Sequence, residues 1–249
     1  MTESSDDSVS RETPPAPPLA QGVFRDRLPL AERYAALLAD DGVVRGLIGP
    51  REAPRLWERH LLNCAVLTDA VPEGAEVADI GSGAGLPGLV MAIRRPDLRV
   101  TLVEPLLRRT TFLTEVVEGL GLADVEVVRG RAEELHGRRD FDVVTSRAVA
   151  PLGRLLDWSM PLVRQGGALV AAKGSSAADE VAAAEAELRR HAAGVVEVLT
   201  LGADLLDPAT TVVRVEASGP SRLGWDLEHQ DRAASSTSSR RRQRKGRRR

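Results

Sequence analysis

The chain is poor in cysteine, in aromatic residues and in long apolar runs. Cys64 is the one cysteine among 249 residues, which excludes an internal disulfide and favours a cytoplasmic address. No apolar run approaches the ~20 residues that cross a bilayer, so no membrane span is expected. The first 20 residues are acidic and proline-rich, which is unlike a secretory signal. Aromatic residues make up 3% of the chain, so few side chains are available to stack on the bases of single-stranded RNA.

Metal-ligand clusters and paired catalytic nucleophiles are also lacking in the sequence. The four histidines and the single cysteine show no spacing typical of metal ligands. No serine, cysteine or threonine stands in a recognisable pairing with a base. The sequence therefore predicts neither a metal enzyme nor covalent catalysis.

Charge is unevenly distributed along the chain. The net charge is −2, but the last ten residues, RRRQRKGRRR, carry eight positive charges and no negative ones. The other 239 residues therefore carry a net charge of −10. Such a tail is attracted to polyanions such as nucleic acid or anionic lipid, or it is a solvated end that aids solubility. Both interpretations stay open here, and the partner expected under the first is RNA and not a membrane.

The hydrophobic pattern predicts one α/β domain between two disordered ends. Residues 1–22 and 218–249 are polar, and we expect both to be disordered. The domain is expected over residues 23–217. It divides into a helical N-terminal extension at 23–72 and a core at 73–217.

Within the core, short β-rich runs alternate with helical stretches. This alternation is typical of βαβ units and predicts a doubly wound, mostly parallel sheet with helices on both faces. No helix separates the last two strands, so they should form an antiparallel hairpin. The predicted strands are 76–80, 99–104, 125–129, 141–146, 168–173, 195–201 and 210–217. The predicted helices cover about 28–40, 54–71, 86–94, 106–119, 149–164 and 177–192.

A glycine-rich turn, VADIGSGAGLPG at 77–88, follows the first strand. A Gly-x-Gly-x-x-Gly frame starting at Gly83 matches the dinucleotide-binding pattern, with Glu104 about 20 residues further on as the ribose-binding acid. Three features oppose this interpretation. The frame starts two residues late relative to the strand, Pro87 has no N–H to offer a pyrophosphate, and the Asp79 carboxylate would repel one.

The frame Asp79-x-Gly81-x-Gly83-x-Gly85 fits S-adenosyl-L-methionine instead, which is cationic at sulfur and carries no phosphate. Glycines let the backbone run flat beneath such a ligand, beyond the carboxyl ends of the strands. Glu104 closes the second strand, where its two oxygens are placed to accept both ribose hydroxyls. Glu133 follows the third strand, near the expected adenine. We therefore favour S-adenosyl-L-methionine over NAD as the cofactor.

Three basic residues are candidates for positioning a substrate. Arg147 ends the fourth strand, and its guanidinium suits a carboxylate, a phosphate or a guanine edge, with a surface ion pair as the alternative. Lys173 ends the fifth strand and is one of two lysines among 34 basic residues, either by chance or because a compact ammonium is needed there. His60 lies on an apolar helix face, which suits a half-buried histidine or a ligand contact.

Several motifs together resemble the bacterial small-subunit rRNA guanine-N7 methyltransferases, the glucose-inhibited division protein B (GidB, RsmG) family. The similarity covers about residues 28–217. The motifs are RH at 59–60, DIGSGAGLPG at 79–88, RxxFL at 109–113, GRAEEL at 130–135, SRAVA at 146–150 and KG at 173–174. In one departure, Asn63 stands near a position where the family often has Asp, so Asn63 is not placed in the site.

The resemblance implies a Rossmann-like class I methyltransferase sheet, S-adenosyl-L-methionine as cofactor and, as target, N7 of one guanine in 16S rRNA, in the 530 loop of the decoding region. The implied partners are 16S rRNA or the small ribosomal subunit, and the protein is expected to be a monomer. The implied cofactor-binding residues are Gly81, Leu86, Ala132, Glu133 and Arg147. The implied residues on or behind the RNA-facing surface are Arg147, Lys173 and His60.

Guanine N7 has a lone pair and no proton to lose, so the implied reaction needs no catalytic base. Three other functions stay open at this point. A small-molecule methyltransferase would use the same donor site, and an NAD-dependent oxidoreductase would use the dinucleotide frame. An RNA-binding protein without catalysis would use only the basic tail.

Overall fold

A computed structural model describes residues 13–219 and Ser221. Residues 1–12, most of the polar C-terminal segment, the basic tail and His229 lie outside the described residues. The helices are α1 (Pro18–Phe24), α2 (Leu28–Leu37), α3 (Leu62–Ala65), α4 (Gly88–Arg94), α5 (Leu107–Leu120), α6 (Leu152–Ser159), α7 (Ala177–Ala183) and α8 (Glu185–Arg190). The strands are β1 (Glu76–Ile80), β2 (Arg99–Glu104), β3 (Val125–Arg129), β4 (Phe141–Arg147), β5 (Val163–Lys173), β6 (Ala193–Leu201) and β7 (Thr210–Ala217).

The seven strands form one sheet in the order β3-β2-β1-β4-β5-β7-β6. The first five strands along the chain are parallel, while β7 pairs antiparallel with both β5 and β6. This arrangement confirms the predicted parallel sheet with a C-terminal antiparallel hairpin. The strand order reverses at β1, since β2 lies on one side of it and β4 on the other. The gap between the carboxyl ends of β1 and β4 is therefore the place where doubly wound sheets bind ligands.

The central strands are continuous apolar runs because both faces of the sheet are covered. One face packs against the N-terminal helices, α4 and α5, through residues such as Leu61, Leu89 and Phe112. The other face packs against α6 to α8 through residues such as Leu156, Leu169 and Leu188. Successive strand side chains alternate between these two cores. Val77 contributes to the first core and Ala78 to the second.

The N-terminal extension packs onto the first face as a series of short helical pieces. Phe24 of α1 meets Trp57 edge-to-face at 6.2 Å between ring centroids. Trp57 Nε1 donates a hydrogen bond to the Pro14 carbonyl at 3.0 Å. The structure thus differs from the expected disorder of residues 1–22, because 18–22 are helical and Ala20 is buried. Aromatic and apolar contacts to this short proline-rich stretch stabilise it.

Three predicted helices are shorter or divided in the structure. The stretch expected as one helix at 54–71 consists of a π-helical turn (Trp57–Leu61), the short α3 and a 3₁₀ helix (Val66–Ala70). The stretch expected as one helix at 149–164 contains only α6, because Pro161 cannot donate an intrahelical hydrogen bond and a 3₁₀ turn leads directly into β5. The stretch expected at 177–192 is divided into α7 and α8 at Ala184, where φ is −99° and ψ is 14°. No proline or glycine marks that break. No helix in the described part of the chain is long and apolar enough to cross a membrane.

Candidate functional site

The glycine-rich turn leaves β1 at the point where the strand order reverses. The backbone N–H groups of Gly81 and Ser82 both donate to the Val103 carbonyl, at 2.9 and 3.2 Å, so the turn is tied to the end of β2. Gly81 has a φ of +70° and Gly85 a φ of +99°. Any side chain at Gly85 would collide with Leu89. The turn therefore requires glycine for its backbone conformation and for its close packing.

The turn is also held from the N-terminal extension. The Tyr34 hydroxyl of α2 donates to the Ala84 carbonyl at 2.7 Å, and Tyr34 is fully buried. Burial raises the pKa of Tyr34 well above its usual value. Its phenol therefore remains a neutral donor, and the extension and the turn behave as one packed unit.

Asp79 lies beneath the turn and does not face a ligand. It shares a strand face with Val77, so its side chain points under the start of α4, where Oδ2 accepts from the Gly88 N–H at 3.0 Å. The residue is 0% exposed, and among the described residues Oδ1 has no hydrogen-bond partner. Burial raises the pKa of Asp79 to about 7, and the Gly88 hydrogen bond opposes this shift. The electrostatic role expected for Asp79, an open carboxylate at the ligand, is therefore not what the structure shows.

The position of Asp79 still disfavours a bound pyrophosphate. A dinucleotide would need the first N–H groups of the helix that follows the turn. The Gly88 N–H already donates to Asp79, and Pro87 has no N–H to contribute. The start of α4 is therefore occupied by the protein itself.

A cavity of about 440 Å³ opens above the carboxyl ends of β1 to β4. It brings together five of the residues proposed for cofactor binding: Gly81, Glu104, Ala132, Glu133 and Arg147. Apolar side chains form much of the rest of its wall, among them Ile80, Val103, Leu106, Val149 and Trp158. The lining does not include Asp79, Gly83 or Leu86, so the structure places these three in or beneath the turn and not at this cavity.

Glu104 is the one buried carboxylate that lines this cavity. Its Oε2 accepts from the Gly83 N–H at 3.0 Å and from Arg109 at 3.3 Å, and its Oε1 accepts from the Leu106 N–H at 3.1 Å. Glu104 is 1% exposed. Each oxygen therefore already has a protein donor, whereas the sequence predicts that both oxygens are free for a ligand. Oε1, with one donor, keeps the larger capacity for a hydroxyl group.

A second cavity, of about 880 Å³, adjoins the first. Arg147, Ala148 and Val149 line both cavities and form the partition between them. Ala148 has a φ of +53°, a conformation that non-glycine residues rarely adopt. Lys173 lies in the wall of the second cavity, as does Asn63.

Lys173 is held by the protein and is not a freely exposed cation. Its Nζ donates to the Ala150 carbonyl and to Glu180 Oε2, both at 2.8 Å, and its side chain is 8% exposed. The Lys173 ammonium lowers the pKa of Glu180, against the effect of partial burial. The lysine thus supports the loop that follows β4, which carries the partition.

Arg147 points its guanidinium toward the N-terminal extension. Nη2 donates to the Arg59 carbonyl at 2.9 Å and lies 2.7 Å from His60 Nδ1, and Nη1 lies 3.2 Å from Cys64 Sγ. Because the guanidinium has no acceptor, His60 Nδ1 must be the acceptor. The open fork expected from the sequence is thus largely occupied by protein groups. Arg147 instead ties the partition to the extension.

Sequence reasoning missed three features of these walls. Trp158 lines the smaller cavity, although a tryptophan on an amphipathic helix most simply indicates a core residue. Asn63 departs from a family pattern and is not expected in the site, yet it lines the second cavity and accepts from the Thr210 hydroxyl at 3.3 Å. The left-handed conformation of Ala148 has no sequence signal. No group of histidine, cysteine and acidic residues among the described residues could hold a metal ion.

Comparison with known proteins identifies the family. The family described as rRNA small subunit methyltransferase G (GidB) matches residues 27–206. This chain belongs to that family. Relatives of the family include the ribosomal RNA small subunit methyltransferase G of a Nocardioides species, which is 66% identical over 89% of this chain and 89% of its own. The protein of the same description from Thermobifida fusca is 58% identical over 82% of this chain and 86% of its own.

Solved structures show that the GidB-family sheet is a methyltransferase fold. The B. subtilis m1A22 tRNA methyltransferase TrmK is 17% identical, with a TM-score of 0.50 over 68% of this chain and 69% of its own. A methyltransferase from Pyrococcus furiosus is 14% identical, with a TM-score of 0.50 over 62% of this chain and 81% of its own. The chain is therefore a class I, Rossmann-like methyltransferase in architecture as well as by family.

Proposed function

We propose that this protein transfers the methyl group of S-adenosyl-L-methionine to N7 of a guanine in 16S rRNA, in the 530 loop of the decoding region. The observation that carries the proposal is the pair of adjoining cavities at the reversal of strand order, which share the partition Arg147–Val149. One cavity suits a methyl donor and the other an acceptor. Membership of the rRNA small subunit methyltransferase G family supports rRNA as the acceptor.

The smaller cavity fits the chemistry of the donor. Gly81 leaves room at its floor, and apolar walls that include Ile80 and Trp158 suit an adenine ring. Glu104 Oε1 is placed to accept a ribose hydroxyl, and Glu133 lies at the same rim. When bound, the donor supplies an activated methyl group on a positively charged sulfur.

The residues of the chain are then required to position the acceptor and not to remove a proton. Guanine N7 attacks with its own lone pair, so no basic side chain is needed. The partition residues must hold N7, the methyl carbon and the sulfur in a line. Such alignment contributes roughly 7–11 kcal/mol in favourable cases. Lys173 contributes by fixing the loop that follows β4, and Arg147 by tying the partition to the N-terminal extension.

The larger cavity suits a base that has left its stack. Its volume of about 880 Å³ exceeds that of the donor cavity, and its rim includes Asn63 and Thr210. An enzyme that modifies a base in folded RNA needs the base exposed or extruded. The proposed partner is therefore the small ribosomal subunit or its 16S rRNA, met in the cytoplasm by a monomer.

The basic tail is proposed to supply the nonspecific part of RNA affinity. The rest of the chain carries a net charge of −10, which repels a phosphate backbone, whereas the last ten residues carry eight positive charges. Contacts between such a tail and phosphates release counterions and are strongly dependent on salt.

The test is methyl transfer from labelled donor to purified small ribosomal subunits and to their free 16S rRNA. We expect label in the RNA and 7-methylguanosine in its nucleoside digest by mass spectrometry. Label on a small metabolite or a protein, with none in RNA, contradicts the proposed substrate. Calorimetry with S-adenosylhomocysteine and with NAD tests the cofactor separately, and binding of NAD alone contradicts it.

A further inference from the structure

Glu52 lies outside both cavities. It contacts His60, which in turn contacts Arg147 of the partition between them. Its Oε2 is 3.1 Å from His60 Nε2, and its Oε1 is 3.5 Å from Arg59. His60 Nδ1 in turn is 2.7 Å from Arg147 Nη2. A carboxylate, an imidazole and a guanidinium therefore form a continuous chain from the surface to the partition.

The direction of the two hydrogen bonds follows from the end members. Arg147 can only donate, so His60 Nδ1 carries no proton and accepts. Glu52 as a carboxylate can only accept, so His60 Nε2 carries the proton and donates. Only the neutral imidazole with its proton on Nε2 satisfies both contacts. The Glu52 contact therefore favours the same tautomer that the Arg147 contact requires, and the two contacts together fix the plane of the ring.

The charges around His60 agree with a neutral ring. Burial and the neighbouring positive charge of Arg147 lower the pKa of His60, and Glu52 acts in the opposite direction. Arg59, the residue before it, also lowers that pKa. The His60 side chain is 12% exposed. Protonation at Nδ1 would place two cations 2.7 Å apart and break the contact with Arg147.

We propose that Glu52 is a positioning residue for methyl transfer, because it fixes the His60 tautomer that holds Arg147 at the partition between the two cavities. The kinetic tests of this inference rest on the proposed function. Its spectroscopic test depends on the structure alone. Glu52 itself touches neither the cofactor nor the reacting atoms.

The spectroscopic test uses the full-length protein labelled with ¹⁵N-histidine. We expect the His60 signals to show a protonated Nε2 and an unprotonated Nδ1 at pH 7.5. In Glu52→Gln the His60 pKa should fall further below its usual value, because the carboxylate that favours the charged ring is gone. A proton on Nδ1 in the wild type, or an unchanged His60 pKa in Glu52→Gln, overturns the inference.

The kinetic test compares Glu52→Ala with Glu52→Gln. Glu52→Ala should lower kcat about tenfold at pH 8, with less effect on the KM for the donor, because Arg147 loses its fixed position. Glu52→Gln should retain more turnover, since its amide oxygen still accepts from Nε2. Glu58→Ala, which removes an exposed carboxylate from the same segment, is the matched control and should keep wild-type kcat.

A double-mutant cycle shows whether Glu52 acts through His60. In His60→Asn the amide oxygen replaces Nδ1 as the acceptor and cannot titrate, so this variant should lose less turnover than His60→Ala. Adding Glu52→Ala to His60→Asn should then cost less than twofold. An equal tenfold loss in both backgrounds overturns the inference. If the wild type fails to methylate small-subunit RNA, the proposed function fails, and the spectroscopic test still decides whether Glu52 fixes the His60 tautomer.

Discussion

Asp79 is the last residue but one of β1 and Glu104 the last of the neighbouring β2, yet their carboxyl groups have different surroundings. Asp79 points under α4 with one oxygen lacking a partner among the described residues, whereas Glu104 reaches the donor cavity with three protein donors. The glycine pattern located both positions. Which face of the sheet each side chain points to depends on the alternation of side chains along the strand. The sequence indicates the positions well and the side-chain directions poorly.

Asp79 should make the stability of the protein depend on pH. Its pKa is raised to about 7, above the value in an unfolded chain, so the folded state keeps a proton that the unfolded state loses. The contribution of Asp79 to the free energy of unfolding therefore falls as pH rises from about 4 to about 7, and is flat above. In Asp79→Asn this fall disappears, so the difference in free energy of unfolding between variant and wild type should grow by up to about 4 kcal/mol across that window.

The measurement is urea unfolding of both proteins at several pH values, and only the difference between them is interpreted. Asp204→Asn, a change at an exposed carboxylate in the turn after β6, serves as the control for introducing an amide. A constant difference between Asp79→Asn and wild type from pH 4.5 to 7.5 would contradict a proton on Asp79.

Gly81 and Gly74 form a matched pair for testing the donor cavity. Their φ angles are +70° and +67°, so alanine at either position meets a similar backbone strain of about 1 kcal/mol. A Cβ at Gly81 would lie 3.0 Å from Val149 in the partition, whereas one at Gly74 would have nothing within 4 Å. Gly81→Ala should weaken S-adenosylhomocysteine binding by about tenfold or more, about 1.4 kcal/mol.

Calorimetry on both variants distinguishes the effect of backbone strain from steric obstruction of the cavity. Gly74→Ala should show the same modest drop in Tm and an unchanged Kd. Equal Kd values for the two folded variants would remove Gly81 from the cofactor site.

Among the elements, the strands followed most directly from the sequence. β1, β2, β3 and β7 have the predicted bounds, because each is a compact apolar run between clear turn residues. β5 is five residues longer at its start than predicted, where the polar and glycine-rich RQGG gives no apolar signal. It pairs there across a register shift with β4, and such irregular pairing depends on the partner strand.

The N-terminal extension reaches the site through specific contacts that no local pattern reveals. Tyr34, His60 and Cys64 come from separate helical pieces and meet the glycine turn or Arg147 across 50 to 87 residues of sequence. Periodicity predicted helical structure here, but not which of these residues would also bind polar groups of the turn or of Arg147. The extension is therefore part of the site and not an attachment to it.

Tyr34→Phe should test this connection between elements. The change keeps the ring and removes the hydroxyl that donates to the Ala84 carbonyl, leaving a buried acceptor unsatisfied. We expect a loss of about 1–3 kcal/mol in free energy of unfolding. Because the turn is loosened, S-adenosylhomocysteine affinity should fall as well.

Urea unfolding and calorimetry on the same preparation measure the two effects of Tyr34→Phe together. A stability loss without any change in affinity would mean that the turn keeps its shape without α2.

On the scale of the whole molecule, charge separates the tail from the rest of the chain. Removal of residues 240–249 takes away eight positive charges and leaves a chain with a net charge of −10. The truncated protein should bind 16S rRNA more weakly at low salt and approach the wild type at high salt. Its plot of log affinity against log salt should be shallower, by about 0.7 for each phosphate that the tail neutralises in the full-length protein.

Filter binding of both proteins across a salt series measures that slope, and donor affinity by calorimetry checks that the fold is intact. Identical slopes would leave the tail without a role in RNA binding.

The partition formed by Arg147, Ala148 and Val149 belongs to both cavities, so any displacement of this wall changes the shape of both. Occupancy of one side that shifts this wall changes the free energy of occupying the second. Thermodynamic reciprocity then requires that nucleic acid alter affinity for the methyl donor by the same factor by which the donor alters affinity for nucleic acid. A single stretch of three residues would thereby couple the affinities of the two cavities, whichever ligand binds first.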